Sequence, residues 1–228
     1  MIARVAWLAA TVLLYALARA AQARAKGHAL VSPVVWPAAI LIAAILVLGA
    51  APAEYARATA PLGWLLGPAT VALAVPLYAR LGELRRAWVP AACALVAGSL
   101  TAVLVAIGVA WALGAGPETL RSLAPKSVTT PIAMAIADAL GGIAPLAAAA
   151  VIATGALGAL FGGAALDAAR VRDPRARGFA MGVAAHGMGT ARALQLDLVT
   201  GTWSGVAMTL NGVLTAFALP IAWAIFAR

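Results

Sequence analysis

Charge is what this sequence lacks most. Of 228 residues only 10% are Asp, Glu, Lys or Arg, where a soluble domain carries about 25%. The deficit is concentrated. Residues 27–53, 58–79, 87–117, 139–166 and 198–227 contain no such side chain. Each run exceeds the roughly 18–20 residues a helix needs to cross a bilayer. Alternation of polar and apolar residues is missing from these runs, which excludes a transmembrane β-barrel. Cysteine is nearly absent: Cys93 stands alone, so no internal disulfide can form, and it reads as a packing residue. Catalytic signatures are missing too. There is no GxSxG, HExxH or Walker glycine–lysine motif. His28 and His186 lie far apart in sequence, with no cysteine pair or acidic ligand set beside them. Neither enzyme activity nor a metal or cofactor is therefore expected. Asp138, Asp167, Asp173 and Asp197 fall at segment ends, and none sits mid-span as a coupling carboxylate would.

What is present is 64% apolar residues. They imply an all-α, polytopic membrane protein, read as one integral domain over 1–228. The formal net charge is 16 − 7 = +9, but it does not point to nucleic acid. The cations gather between the apolar runs: Arg19, Arg24 and Lys26; Arg80, Arg85 and Arg86 against Glu83; and Arg170, Arg172, Arg175 and Arg177 against Asp173. The positive-inside rule places all three basic loops in the cytoplasm. The N-terminus then starts outside. The first apolar run reads as a helix anchored by Arg19 rather than as a signal peptide. About six full spans are expected. The third, "LGPATVALAVPLY" (66–78) within 58–79, should be kinked by Pro68 and Pro76. GxxxG spacings at Gly63/Gly67, Gly158/Gly162, Gly178/Gly182 and Gly201/Gly205 suit close helix approach.

Two stretches do not fit a simple count of crossings. With the basic loops in the cytoplasm, the loop at 115–123 is outside, and the span over 142–169 must also begin outside. Residues 124–141 therefore start and finish on one side. Their uncharged core, 127–137, has 11 residues, roughly 17 Å of helix, too short to span. A second short stretch, 178–191, follows the last basic loop and carries "AHGMGTARAL". Two broken or re-entrant segments are expected, at roughly 125–140 and 178–196. A short broken segment followed by a long span occurs twice, with candidate repeat units 124–169 and 178–227. That is the pattern of inverted repeats in secondary transporters.

Both segments carry polar clusters. In "PKSVTTPIAMAI" (125–136), Pro131 has no N–H and leaves the carbonyl of Ser127 without its helical partner. Thr130, before it, is pushed out of helical geometry. Lys126 adds a positive charge, and Ser127, Thr129 and Thr130 add hydroxyls. The helix that starts near Pro131 aims its N-terminus at the same spot. In the second cluster, Gly187 and Gly189 are expected to interrupt the helix, and Thr190 to cap the short helix that follows. His186 is titratable, Arg192 offers a planar fork suited to carboxylate, and Asn211 can donate and accept nearby. Together these make a candidate anion site. Plainer roles stand beside each assignment. Lys126 and Arg192 can snorkel, His186 can be a satisfied structural histidine, Asn211 can be interhelical glue, and the hydroxyls can satisfy carbonyls freed by proline.

"APKSVTTPIAMAIADALGGI" (124–143), "RDPRARGFAMGVAAHGMGTARAL" (172–194), "GVAMTLNGVLTAFALP" (205–220) and "LGPATVALAVPLY" (66–78) resemble the LrgB/CidB family over essentially the whole chain. The resemblance implies a multi-pass protein of the bacterial inner membrane. It also implies two functions. One is an antiholin-like regulator of murein hydrolase activity and lysis, acting with a small LrgA/CidA-type membrane partner. The other, through a similarity to the plastidic glycolate/glycerate translocator and to relatives linked to pyruvate uptake, is a carrier of small organic monocarboxylates. The anion site on broken helices favours the carrier. The expected partners are the lipid bilayer and a small organic anion, with the LrgA/CidA-type protein and a homo-oligomer as further candidates.

Overall fold

The computed structural model describes residues 2–25, 31, 33, 35–65, 68, 78 and 81–226. Every regular element among the described residues is a helix. The chain divides into two compact units, Met1–Pro76 and Leu77–Arg228.

The first unit contains α1 (Ile2–Arg24), α2 (Val35–Leu48) and α3 (Pro52–Trp64). Trp7 of α1 meets Tyr55 of α3 edge to face, with centroids 5.6 Å apart. Thr11 shares a hydrogen bond with the Tyr55 hydroxyl at 3.2 Å. The second unit contains α4 (Leu81–Arg86), α5 (Trp88–Ala112), α6 (Pro117–Leu123), α7 (Thr130–Ala139), α8 (Ala144–Ala168), α9 (Pro174–Leu196) and α10 (Leu198–Phe226).

Four helices among the described residues are long and apolar enough to cross a membrane: α1, α5, α8 and α10. Six were expected, and the difference lies in the second and third apolar runs. Within 27–53, α2 is only 14 residues long. It stops at Gly49, whose φ of 63° takes the chain out of the helix, and Pro52 opens α3 three residues later. Most of "LGPATVALAVPLY", including Pro76, lies outside the described residues, and so does the kink expected there.

Segment ends explain the rest of the second unit. Gly141, with φ 73°, closes α7. The N–H of Gly142 bonds back to Ala137 at 2.8 Å, the bond that seals a helix end in a left-handed turn. The end of α8 has the same bonds, Arg170 N–H to Asp167 O and Val171 N–H to Leu166 O. There the left-handed position, φ 58°, is filled by Arg170 instead of glycine. Of the GxxxG pairs, Gly178/Gly182 brings two backbones together. A Cβ on Gly178 would strike the carbonyl of Thr200, and one on Gly182 the carbonyl of Ser204. This lets α9 lie directly on α10, the most extensive helix pairing among the described residues.

Candidate functional site

Two of the helix breaks among the described residues turn back on themselves. The first lies between α6 and α7, where residues 124–129 are non-helical. The segment begins and ends at one level. The Ser122 hydroxyl accepts the N–H of Ile143 at 2.7 Å, and Arg121 donates to Gly141 O at 3.3 Å. The second break lies inside α9, at Ala185 (φ −130°, ψ 16°) and His186 (φ 40°, ψ −131°). Residues before it pair with α10 in ascending order, Gly178 against Thr200 and Gly182 against Ser204. Residues after it pair in descending order. Gly187 lies nearest Met208, and Leu194 lies against Gly201, while Thr190 bonds the Ser204 hydroxyl at 2.9 Å. So α9 is a hairpin of two half-helices with its tip at His186.

The sequence pointed to Gly187 and Gly189 as the interruption. Both instead lie in the returning half-helix, and the turn precedes them. Gly189 is there for space: a Cβ would sit 2.6 Å from Met181 O on the outgoing half. Thr190 is not a cap either. It lies a full turn inside the half-helix and donates to His186 O at 2.9 Å.

The two tips meet on two shared residues, one from each neighbouring long helix. Asn211 of α10 is 1% exposed. Its amide donates to Ser127 O at 3.1 Å and to Val183 O at 3.2 Å. The first carbonyl is the one Pro131 deprives of a partner, and the second lies in the last turn before the α9 break. The Asn211 oxygen accepts from the Ser99 hydroxyl of α5 and from Thr215 at 3.4 Å. All the bonding capacity of Asn211 is thus taken up inside the protein. Val151 of α8 is the second shared residue. It is buried with Val128 and Ala147 in one cluster, and its carbonyl accepts the Nε2–H of His186 at 3.0 Å. Gly155, one turn on, leaves room for the rings and chains of His186 and Met188.

A cavity of about 900 Å³ opens beside this junction. Its walls are one face of α5 and the outgoing half of α9, mostly Ala, Val and Phe. Asp173 and Arg175 stand at one end, and Lys126 and Ser127 line it near the tips. From residue 173 to residue 184 the α9 wall runs roughly 16 Å. At the mouth, Arg175 forms a two-point pair with Asp173, at 2.9 and 3.2 Å. The Arg175 side-chain bond, aided by its backbone N–H, holds the Asp173 carboxyl below the usual range. At the inner end the Lys126 ammonium donates to the Ser127 hydroxyl at 3.4 Å, with no carboxylate bonded to it among the described residues. The mouth is therefore close to neutral and the inner end is positive.

The expected site residues divide accordingly. Lys126 and Ser127 line the cavity. Thr129 and Thr130 are half-buried at the start of α7, where no side chain caps the helix, and Pro131 is exposed. His186, Gly189, Thr190 and Asn211 are buried in the packing around the tips, and Gly187 is exposed. Arg192 lies on the returning half-helix, bonded to Gln195 at 3.2 Å, and is not among the cavity residues. Asn211 bonds a carbonyl from each break, Ser127 O and Val183 O, so the two clusters meet there. Sequence reading missed Ser99, Val151 and Trp203. Each lies in a uniformly apolar run, and only its three-dimensional neighbours distinguish it. No group of three or more potential metal ligands occurs among the described residues.

Comparison with known proteins adds a family. The model of the LrgB-like family matches residues 11–225. The chain is similar to proteins named antiholin-like protein LrgB from Bacillus cereus (strain B4264) and Bacillus anthracis (strain CDC 684 / NRRL 3495). Each is 29% identical over 168 residues, covering 74% of this chain and 73% of the relative. No solved structure matches.

Proposed function

The chain belongs to the LrgB-like family, and on that premise we propose that its cavity is the anion site of a carrier for small organic monocarboxylates of the glycolate, glycerate or pyruvate type. One observation carries the reading. An apolar-walled cavity ends on Lys126 and Ser127, between two helix breaks that converge on Asn211. A cation in an apolar site attracts a carboxylate more strongly than it would in water. Irregular backbone within a membrane is tolerated where it lines such a cavity. In this reading 123–142 and α9 are re-entrant hairpins entering from opposite faces, and each precedes a long span, α8 or α10. This arrangement fits inverted repeats over 124–169 and 178–227. A count of six spans would require the residues between α3 and α4. Lys126 and Ser127 bind the carboxylate; His186 and Asn211 shape the tips.

A second reading has the more direct support from the relatives, which are named antiholin-like. In it the protein regulates murein hydrolase activity and lysis from the bacterial inner membrane, with an LrgA/CidA-type partner or as a homo-oligomer. Uptake of labelled glycolate and pyruvate into proteoliposomes separates the two. Saturable uptake that Lys126→Gln abolishes supports the carrier. Non-selective leakage of a trapped dye supports a pore-type role and removes the carrier reading.

A further inference from the structure

A second cavity, of about 550 Å³, lies where three helix ends meet: the last turn of α8 and the first turns of α9 and α10. Arg170, Arg172 and Arg177 line it together with Asp167 and Asp197. Both carboxylates are committed. Asp167 pairs with Arg177 at 2.6 Å, and Asp197 holds the N–H and the hydroxyl of Thr200. Arg177 is engaged in turn, since it also donates to the carbonyls of Val171 and Gly163, at 2.8 and 3.5 Å. Arg170 and Arg172 differ from it. Both are exposed, and neither guanidinium has a hydrogen bond or ion pair among the described residues. Three arginines face two aspartates, 3 − 2 = +1, and the surplus belongs to these two side chains. Arg170 also sits where the backbone favours another residue. Its φ of 58° is one that glycine adopts freely and that strains a residue with a Cβ. Gly141 fills the corresponding place after α7. An outlier of this kind points to a task for the side chain that glycine could not perform.

The surroundings of the cavity indicate the class of ligand. Helix α8 ends two residues before Arg170, and α10 begins directly after Asp197; both are long and apolar enough to cross a membrane. Their shared end therefore lies where hydrocarbon gives way to headgroups. Leu196 lines the cavity, and Leu196 and Leu198 are 43% and 68% exposed. The rim thus offers acyl chains an apolar surface beside the two arginines. A phosphate without acyl chains would gain nothing from these leucines. We propose that this cavity binds an anionic phospholipid, whose phosphate is held by Arg170 and Arg172 while its acyl chains lie along the leucine rim. A guanidinium meets phosphate with two parallel N–H donors, and basic pockets between spanning helices suit lipid headgroups. A lipid held there ties the ends of α8, α9 and α10 together. The site shares no lining residue with the cavity that ends on Lys126, so it stands whether or not that cavity carries a carboxylate.

The test uses the full-length protein in a neutral detergent. It is melted with added phosphatidylglycerol, phosphatidylcholine or inorganic phosphate, and the lipids it retains are counted by native mass spectrometry. Phosphatidylglycerol should raise the melting temperature and stay bound, as a ligand of the folded state does. Phosphatidylcholine and inorganic phosphate should do neither. Arg172→Gln and Arg170→Gly should each weaken phosphatidylglycerol binding roughly tenfold, the loss of a charge-assisted contact. Without lipid, Arg170→Gly should melt at the parent temperature or higher, because glycine relieves the backbone there. The lipid count is made on the folded protein at low temperature, so it is independent of any change in melting. Arg57→Gln removes an exposed charge from the first unit and should bind lipid as the parent does. Equal stabilisation by phosphatidylcholine overturns the proposal. So does phosphatidylglycerol binding that survives in both arginine variants, or that falls as far in Arg57→Gln. Inorganic phosphate that matches phosphatidylglycerol makes the cavity a soluble-anion site and removes the lipid from it.

Discussion

The amide of Asn211 donates to the carbonyl of Ser127, a residue 84 positions earlier in the chain, at 3.1 Å. Its other N–H reaches Val183 O on the second broken helix. One side chain thus replaces the ladder bond that Pro131 removes and serves the turn where α9 stops. Replacing Asn211 by Ala leaves two buried carbonyls unpaired, and at about 1–3 kcal/mol each the loss is on the order of 2–6 kcal/mol. Thermal unfolding in detergent should show a large drop, and Asn211→Asp should not restore it, because a carboxyl group cannot supply two donors. An unchanged melting temperature for Asn211→Ala would mean that the tips are held by other contacts.

Backbone geometry at 186 makes a separate prediction. His186 has φ 40° and ψ −131°, a conformation glycine adopts freely and a β-branched residue resists. His186→Val should therefore cost several kcal/mol, the sum of about 1–3 kcal/mol of added strain and the lost bond to Val151. His186→Gly loses the same bond but relieves the strain, so it should be clearly more stable than His186→Val. Equal stabilities would show that the left-handed turn is not required.

Arg121 and Gly142 lie side by side: a Cβ on Gly142 would be 3.1 Å from that of Arg121. Single cysteines at these two positions, on a Cys93→Ala background, should react with a membrane-impermeant thiol reagent from one side only, and the same side. Labelling from opposite sides would make 123–142 a crossing segment.

Arg192 and Lys126 can be told apart by binding. Lys126→Gln should weaken carboxylate binding about tenfold or more, the loss of a charge-assisted contact. Arg192→Gln should change it by less than about twofold, since Arg192 is not among the residues lining the cavity. The reverse order would move the anion site to the returning half of α9.

Acid should loosen the start of α10 first. Asp197 accepts the N–H of Thr200 at 2.8 Å and also its hydroxyl, and these bonds hold its carboxyl below the ordinary range. A depressed carboxyl stabilises the fold above its unfolded pKa of about 4, and that contribution is lost as pH falls through the lower folded value. Between pH 7 and pH 5 the contribution should be constant, and it should fade below about pH 4. Asp197→Asn should flatten this acid limb. The same slope in parent and variant would exclude Asp197 as its source.

Much of this site was legible because proline chemistry is local. Pro131 must free the carbonyl of Ser127 wherever the chain folds, and the short charge-free stretch after it must turn back. The break in α9 was placed a residue too late because glycine is only a permission. Its position is decided by the Val151 carbonyl that His186 reaches and by the gap at Gly155, and both belong to another helix. Arg192 was read from residue type alone, as a carboxylate binder; it lies on the returning half-helix, outside the residues that line this cavity. The second apolar run was read by length alone, and Gly49 and Pro52 divide it.

The long reach from Ser127 to Asn211 also sets a timetable for synthesis. A ribosome delivers α6, α7 and α8 to the membrane well before it makes α10. During that interval the first tip has no partner for its freed carbonyl, and the ten-residue α7 is too short to hold a place in lipid by itself. Ser99 on α5 waits longer still, 112 residues, for the same side chain. The inner architecture therefore closes only when the last helix arrives. A chain stopped before residue 211 would have most of its long helices inserted and neither of its tips secured, a form that quality-control proteases in the membrane could recognise by its loose arms.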